Sequence, residues 1–289
     1  MESVSPITLR RQLGRVALPP APAASSARST IAAPRPHRPL ALSLACVLAL
    51  FGAWYAVTAL RWIEPLFLSP PQAVWTKLIS VGGEGFMDAT LWQHAAASLA
   101  RVMLALVAAL ATAIPLGLWT GLSPGARGVF DPLIEFYRPV PPLAYLPLIV
   151  IWFGIGELSK VLLIALAIFA PVVIATATGV RNTDTTRLRA AQSFGANRWQ
   201  LLRHVVLPSA LPDILTGVRV SLGVGWSTLV AAELVAATRG LGFMVQSAAQ
   251  FLNTDIVLLG IFVIALIAFA LELGLRGLQR RLVPWQGKA

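Results

Sequence analysis

Glu233 is a carboxylate inside an apolar run, residues 220–238. An acid at such a place is costly unless it meets water or a partner. Trp226 lies seven residues earlier, on nearly the same helical face. Arg239 follows the run, next to Gly240 and Gly242. Trp226, Glu233 and Arg239 are therefore the candidates for a polar pathway through an apolar element. In that reading Glu233 faces a cavity or makes a mobile contact, and Arg239 meets an anionic group at the mouth. The bland alternative is an interfacial glutamate snorkelling outward beside an ordinary surface arginine.

Other reactive patterns are weaker. Gly121-Leu122-Ser123-Pro124-Gly125 matches the string G-x-S-x-G, which would make Ser123 a nucleophile at a strand-to-helix turn. Here it follows an apolar run and contains Pro124, so it reads as a turn, with a membrane serine hydrolase as the remote alternative. No G-x-x-x-x-G-K-[ST] loop exists to bind ATP, and no H-E-x-x-H to bind zinc. Cys46 is the only cysteine, which rules out an intrachain disulfide and a cysteine metal site. His37, His94 and His204 are scattered. These residues supply no catalytic centre and no metal set.

A polar stretch lies between two long apolar runs at residues 187–213, RLRAAQSFGANRWQLLRHVVLPSALPD. Arg187, Ala190, Ala191 and Phe194 fall on one face of a short helix. Gly195 can take a positive φ and turn the chain. Trp199, Leu202 and Val206 then repeat at helical spacing, and Pro208 and Pro212 place the end of that second helix near Leu207. A helix, a glycine turn and a second helix with a small-residue surface would let another protein's backbone approach closely.

Composition sets the class. Of 289 residues 57% are hydrophobic and 12% charged, whereas soluble domains run at about 25% charged. This is an all-α, polytopic membrane helix bundle. Spans are expected at residues 40–60, 102–122, 140–156, 161–180, 220–238 and 256–275, each near the length a bilayer core requires. Prolines 115, 147 and 171 interrupt three of them, and Asp88 is the expected cap of the helix that follows it. Gly217, Ser221 and Gly225, and likewise Gly223, Ser227 and Ala231, form small-residue stripes that place the fifth span centrally or at an interface between two copies. Residues 1–39 read as a disordered basic tail, 40–282 as the membrane domain and 283–289 as a second tail.

The charge of +11 follows topology. With both ends inside, eighteen of the 23 Lys and Arg residues fall on the cytoplasmic side. The other five, Arg61, Lys77, Arg101, Lys160 and Arg239, fall outside. That bias favours six spans with cytoplasmic termini and removes the nucleic-acid reading.

The stretch from 189 to 208 resembles the cytoplasmic "EAA" loop of permeases from binding-protein-dependent ABC importers. The match runs through Arg189-Ala190-Ala191, Gly195, Val205, Leu207 and Pro208, with arginine at 189 where the family pattern has glutamate. Runs 85–94, 135–157, 223–248 and 271–282 carry a closer resemblance to taurine importer permeases, in the sulfonate, nitrate and bicarbonate branch. The resemblance covers about residues 40–286. It implies the type I importer permease fold and a homodimer in the bacterial inner membrane. It also implies a cytoplasmic ATPase pair that binds ATP and magnesium, an extracytoplasmic substrate-binding protein, and no cofactor in this chain. The implied cargo is taurine, or alternatively alkanesulfonates, nitrate or a pyrimidine precursor. The implied coupling residues are Arg189, Ala190, Ala191, Gly195, Ala196, Leu207 and Pro208.

Overall fold

The structure, a computed structural model, describes residues 38–285. Residues 1–37 of the tail expected over 1–39, and 286–289 of that expected over 283–289, lie outside them, while Arg38 and Pro39 belong to the first helix. The described residues are helical, apart from an isolated bridge between Phe86 and Ala89. Helix α1 is Arg38–Ala59, α2 Pro71–Gly83, α3 Leu91–Leu122, α4 Pro124–Tyr137, α5 Leu146–Phe153 and α6 Glu157–Arg181. Then come α7 (Thr185–Ser193), α8 (Arg198–Leu201), α9 (Leu207–Ala236), α10 (Leu241–Gln250) and α11 (Thr254–Leu282). Contacts divide the chain between Ala49 and Leu50, and the bundle described below belongs to the unit from Leu50 onward.

Helix α6 packs against α3 on one side and α9 on the other. Glycines let the backbones close up. A Cβ at Gly117 of α3 would lie 2.8 Å from the Val173 carbonyl oxygen, and one at Gly121 2.6 Å from the Val180 Cβ. On the other face, a Cβ at Gly179 would lie 2.9 Å from the Ala210 carbonyl oxygen, and one at Gly225 2.9 Å from Ile168. The apolar core lies between these helices, with Val102, Ile164, Ile168, Val172, Leu222 and Leu229 among its buried members. A satellite core joins α2, α10 and α11 through Val74, Leu241, Met244 and Leu259. Of the two small-residue stripes on α9, Gly217-Ser221-Gly225 is buried, while Gly223 and Ser227 are exposed.

Several expectations change. Five described helices are long and apolar enough to cross a membrane, or six if the bent pair Pro124–Tyr137 and Pro142–Phe153 counts as one span. That pair turns through 90°. The span expected at 140–156 is therefore a 3-10 turn, Pro142–Tyr145, followed by the eight-residue α5. Pro147 sits in the first turn of α5 and starts it, where the missing N–H costs nothing. The expected cap Asp88 is a turn residue with φ of 59°. Thr90 caps α3 instead, its side chain and that of Gln93 forming a capping box.

The second loop helix does not end at Leu207. It continues from Arg198 through Val235. Leu202–Val206 is a π turn, in which the Leu207 N–H donates to the Leu202 carbonyl. The wider turn absorbs the hydrogen bond that Pro208 cannot make.

Gly117→Ala is expected to cost about 1–3 kcal/mol by overpacking α3 on α6. Thermal unfolding of the purified chain in detergent checks this, with Gly52→Ala as the control because a Cβ there meets nothing within 4 Å.

Candidate functional site

Two ends of the bundle carry the polar chemistry. At one end α3 and α6 begin and α9 finishes. At the other, α6 leads into α7 and α8, some 25 residues away, or about 37 Å along a helix axis.

The first end is organised on Glu233, whose side chain is fully buried. Its Oε1 accepts from Arg101 Nη1 at 2.5 Å and from Ser98 Oγ at 2.8 Å. Its Oε2 accepts from the Gly242 N–H at 2.8 Å. Arg101 donates from Nη1 to the Arg239 carbonyl at 2.7 Å, and grips Glu157 with two bonds of 2.6 Å and 2.8 Å. Lys160, also buried, donates to Glu157 at 2.8 Å. Two cations and two anions therefore form one neutral, alternating chain, the arrangement that makes buried charge tolerable.

The same cluster pins the turn between α9 and α10. Three successive N–H groups, of Gly240, Leu241 and Gly242, donate to His94 Nδ1, Ser98 Oγ and Glu233. Since His94 Nδ1 accepts, its Nε2–H donates to the Phe86 carbonyl, at 3.0 Å. Gly240 has φ of 138°, and a Cβ there would collide with the Glu233 carboxylate, so the turn requires glycine.

The sequence candidates fall into place as follows. Glu233 is a fully paired buried acid. Trp226 is buried in the apolar core between helices, with its Nε1 unpartnered. Arg239 is exposed and contributes its carbonyl to Arg101. Sequence reasoning missed Arg101, Glu157, Lys160, Ser98 and His94. Arg101 and Lys160 are buried members of the ion-pair chain, so they are not the surface topology charges the sequence reading took them for. One signal was available: His94, Ser98 and Arg101 are spaced i, i+4, i+7, a polar stripe on a helix otherwise read as apolar. Glu272 ties α9 to α11, pairing with Arg219 and with Arg276, the latter at 2.8 Å.

The other end is the loop. Asp184 caps α7 by accepting from the Thr186 N–H at 2.8 Å. That bond holds its carboxyl below the usual range, so the cap is complete at neutral pH and is lost only as pH falls through the lowered value. Helix α7 ends in a Schellman motif, with Ala196 N–H donating to the Ala191 carbonyl and Gly195 N–H to that of Gln192. Gly195 has φ of 81°, the turn expected of it. Asn197 and Gln200 then form a capping box that starts α8.

The expected face is exposed. Phe194 is 92% and Trp199 66% accessible, Arg189 and Ala190 are exposed, and Ala191, Ala196 and Pro208 are half-buried. Leu207 is 36% exposed. The guanidinium of Arg189 has no ion-pair partner among the described residues. Leu188 and Leu202 point the other way and pack against the bundle core. The loop is thus a rigid, capped helix pair that turns apolar side chains toward solvent, which suits a docking surface.

Glu233→Ala would remove one of the two carboxylates that neutralise buried Arg101 and leave the Gly242 N–H without its acceptor. It is expected to cost about 3–5 kcal/mol, the usual result of breaking a buried pair. Glu157→Gln, at a side chain 64% exposed, is expected to cost less than about 1 kcal/mol. Unfolding midpoints of the two variants in detergent check the ordering.

Residues 113–285 match the family model described as "Binding-protein-dependent transport system inner membrane component". The chain is 65% identical over 252 residues to the taurine transport system permease protein TauC of Escherichia coli K12, covering 87% of this chain and 92% of that one. It is 34% identical over 234 residues to the putative aliphatic sulfonates transport permease protein SsuC of the same organism, covering 81% and 88%. A chain of the MetNI methionine ABC transporter in an inward-facing conformation superposes with a TM-score of 0.53 at 21% identity. That match covers 64% of this chain and 93% of the other. The expected importer permease fold is therefore present. With the family model spanning more than half of its length, this multi-pass helical chain belongs to the inner membrane components of binding-protein-dependent transport systems.

Proposed function

We propose that the chain is the membrane-spanning subunit of an ATP-driven importer that moves taurine across the bacterial inner membrane. The observation that carries the cargo is the identity to the taurine permease across nearly all of that protein's length. The weaker likeness to an aliphatic sulfonate permease makes alkanesulfonates the second reading.

In this account two copies form the pathway, and the exposed Gly223 and Ser227 on α9 offer a surface of the kind that lets membrane helices approach closely. A separate ATPase pair binds ATP and magnesium and docks on α7 and α8, where Ala190, Ala191, Gly195, Ala196, Leu207 and Pro208 shape the contact. Arg189 brings a cation where the family pattern has an acid, so its partner on the ATPase is an acidic group. Both termini lie with the loop on the cytoplasmic side. The ion-paired end faces outward and receives the loaded binding protein.

The physical route from ATP to cargo follows from the helices. The loop runs without a break into α9 through the π turn. A displacement of α7 and α8 is therefore delivered to the helix that packs on α6, and not lost in a flexible linker. Hydrolysis in the ATPase pair supplies the energy. This chain converts loop motion into opening at one end or the other.

Taurine uptake into proteoliposomes containing this chain, its ATPase and its binding protein tests the proposal. Uptake should require ATP on the loop side and be competed by excess taurine but not by nitrate or sulfate. Ala196→Asp places a charge in the docking face and should reduce uptake at least tenfold while the chain still inserts and purifies normally. Uptake without ATP would refute the importer reading. Stimulated ATP hydrolysis without taurine uptake would refute the cargo.

A further inference from the structure

A cleft of about 610 Å³ runs along α6 and α9 beside the bend that joins α4 to α5. Most of its wall is apolar, from Leu166, Ala170, Ile174, Gly217 and Val224. One cation lines it, Arg138, at the end of α4.

The depth of Arg138 is fixed by its neighbours. Asp131 of α4 pairs with Arg181, the last residue of α6, at 3.5 Å. Helix α4 then climbs along α6, because the hydroxyl of Tyr137 donates to the Leu166 carbonyl at 3.0 Å. Leu166 is the tenth of the 25 residues of α6. Arg138 follows Tyr137, seven residues or about 10 Å along the chain direction of α4 from Asp131, so it stands beside the body of α6, between Arg181 and Leu166, and not in a loop at its end. The topology count had placed it among the eighteen charges of the cytoplasmic side.

An arginine beside the body of a spanning helix must find a partner or water. Among the described residues Arg138 has an exposed side chain and neither an ion pair nor a side-chain hydrogen bond. Asp213, the acid among the described residues that line the cleft, packs near Gly179 and makes no ion pair with Arg138. The contrast with Arg101 is direct: one buried guanidinium makes four bonds, and this one keeps its planar fork free. A guanidinium fork matches the oxygens of a tetrahedral or planar oxyanion and holds them with paired hydrogen bonds.

We propose that the cleft is the half of the translocation path contributed by one copy, and that Arg138 is its anion station, taking the sulfonate group of the cargo in passage. This rests on the sulfonate reading given above. The apolar walls lower the local dielectric and strengthen that contact, while the absence of a second cation in the cleft keeps it weak enough for release.

The test uses the reconstituted transporter with its ATPase and binding protein, and reads taurine uptake and ATP hydrolysis together. Arg138→Gln should lower uptake at least tenfold, while hydrolysis stimulated by the taurine-loaded binding protein stays within twofold of the unaltered transporter. Arg138→Lys, which keeps the charge but not the fork, should recover at least a third of the uptake. Unchanged uptake in Arg138→Gln would overturn the assignment and leave the cargo reading intact. Parallel loss of uptake and hydrolysis in both variants would overturn it too, marking Arg138 as structural. Failure of the unaltered transporter to carry any sulfonate would overturn both this assignment and the cargo reading.

Discussion

The structure depends on a carboxylate that cannot be left alone. Glu233 is fully buried near the end of α9, where an unpaired charge would cost several kcal/mol. Its solution recruits the rest of that end of the bundle. Arg101 comes from α3, 132 residues away in sequence, and must itself be neutralised by Glu157 at the start of α6. Ser98 and the Gly242 N–H fill the remaining lone pairs. One acid therefore fixes the relative placement of three long helices and of the turn into α10. The glycines along α6 then let those helices stay in backbone contact toward the loop.

The two ends contrast in kind. At the ion-paired end, polar groups are buried and mutually satisfied, so movement there means breaking charge-assisted bonds. At the loop end, caps and a Schellman motif make α7 and α8 stiff, while Phe194 and Trp199 face solvent. A stiff exposed element joined to a stiff helix is suited to receiving force. A closed charge network is suited to having two states, intact or parted, with little in between. Prolines 115 and 171 lie inside α3 and α6, giving these helices places to bend between the ends.

Much of this was legible in the sequence because it is local. The loop motif, the turn at Gly195 and the positions of the long helices follow from spacing and hydropathy. What failed was pairing at long range. Arg101, Lys160 and Arg138 were read as topology charges because hydropathy places any charge at a boundary. In the fold, Arg101 and Lys160 are buried against acids, and Arg138 stands beside the body of α6. Helix α3 starts at Leu91, close to where a cap at Asp88 would have begun it, but Thr90 is the cap. Pro208 was read as a terminator, since a single residue does not reveal that the preceding turn widens to accommodate it. The bent pair α4 and α5 was obscured by five prolines, at 132, 139, 141, 142 and 147, whose combined geometry local rules do not give.

The claim that the Glu233–Arg101 pair is the constraint on which the bundle is built is tested most directly by a double-mutant cycle in detergent. Arg101→Met and Glu233→Leu are made singly and together, and unfolding is followed for each. The account gives a coupling of about 2 kcal/mol or more, with the double variant more stable than either single one, because removing both charges leaves no stranded ion. A coupling below about 0.5 kcal/mol, with the two single losses simply adding, would contradict it.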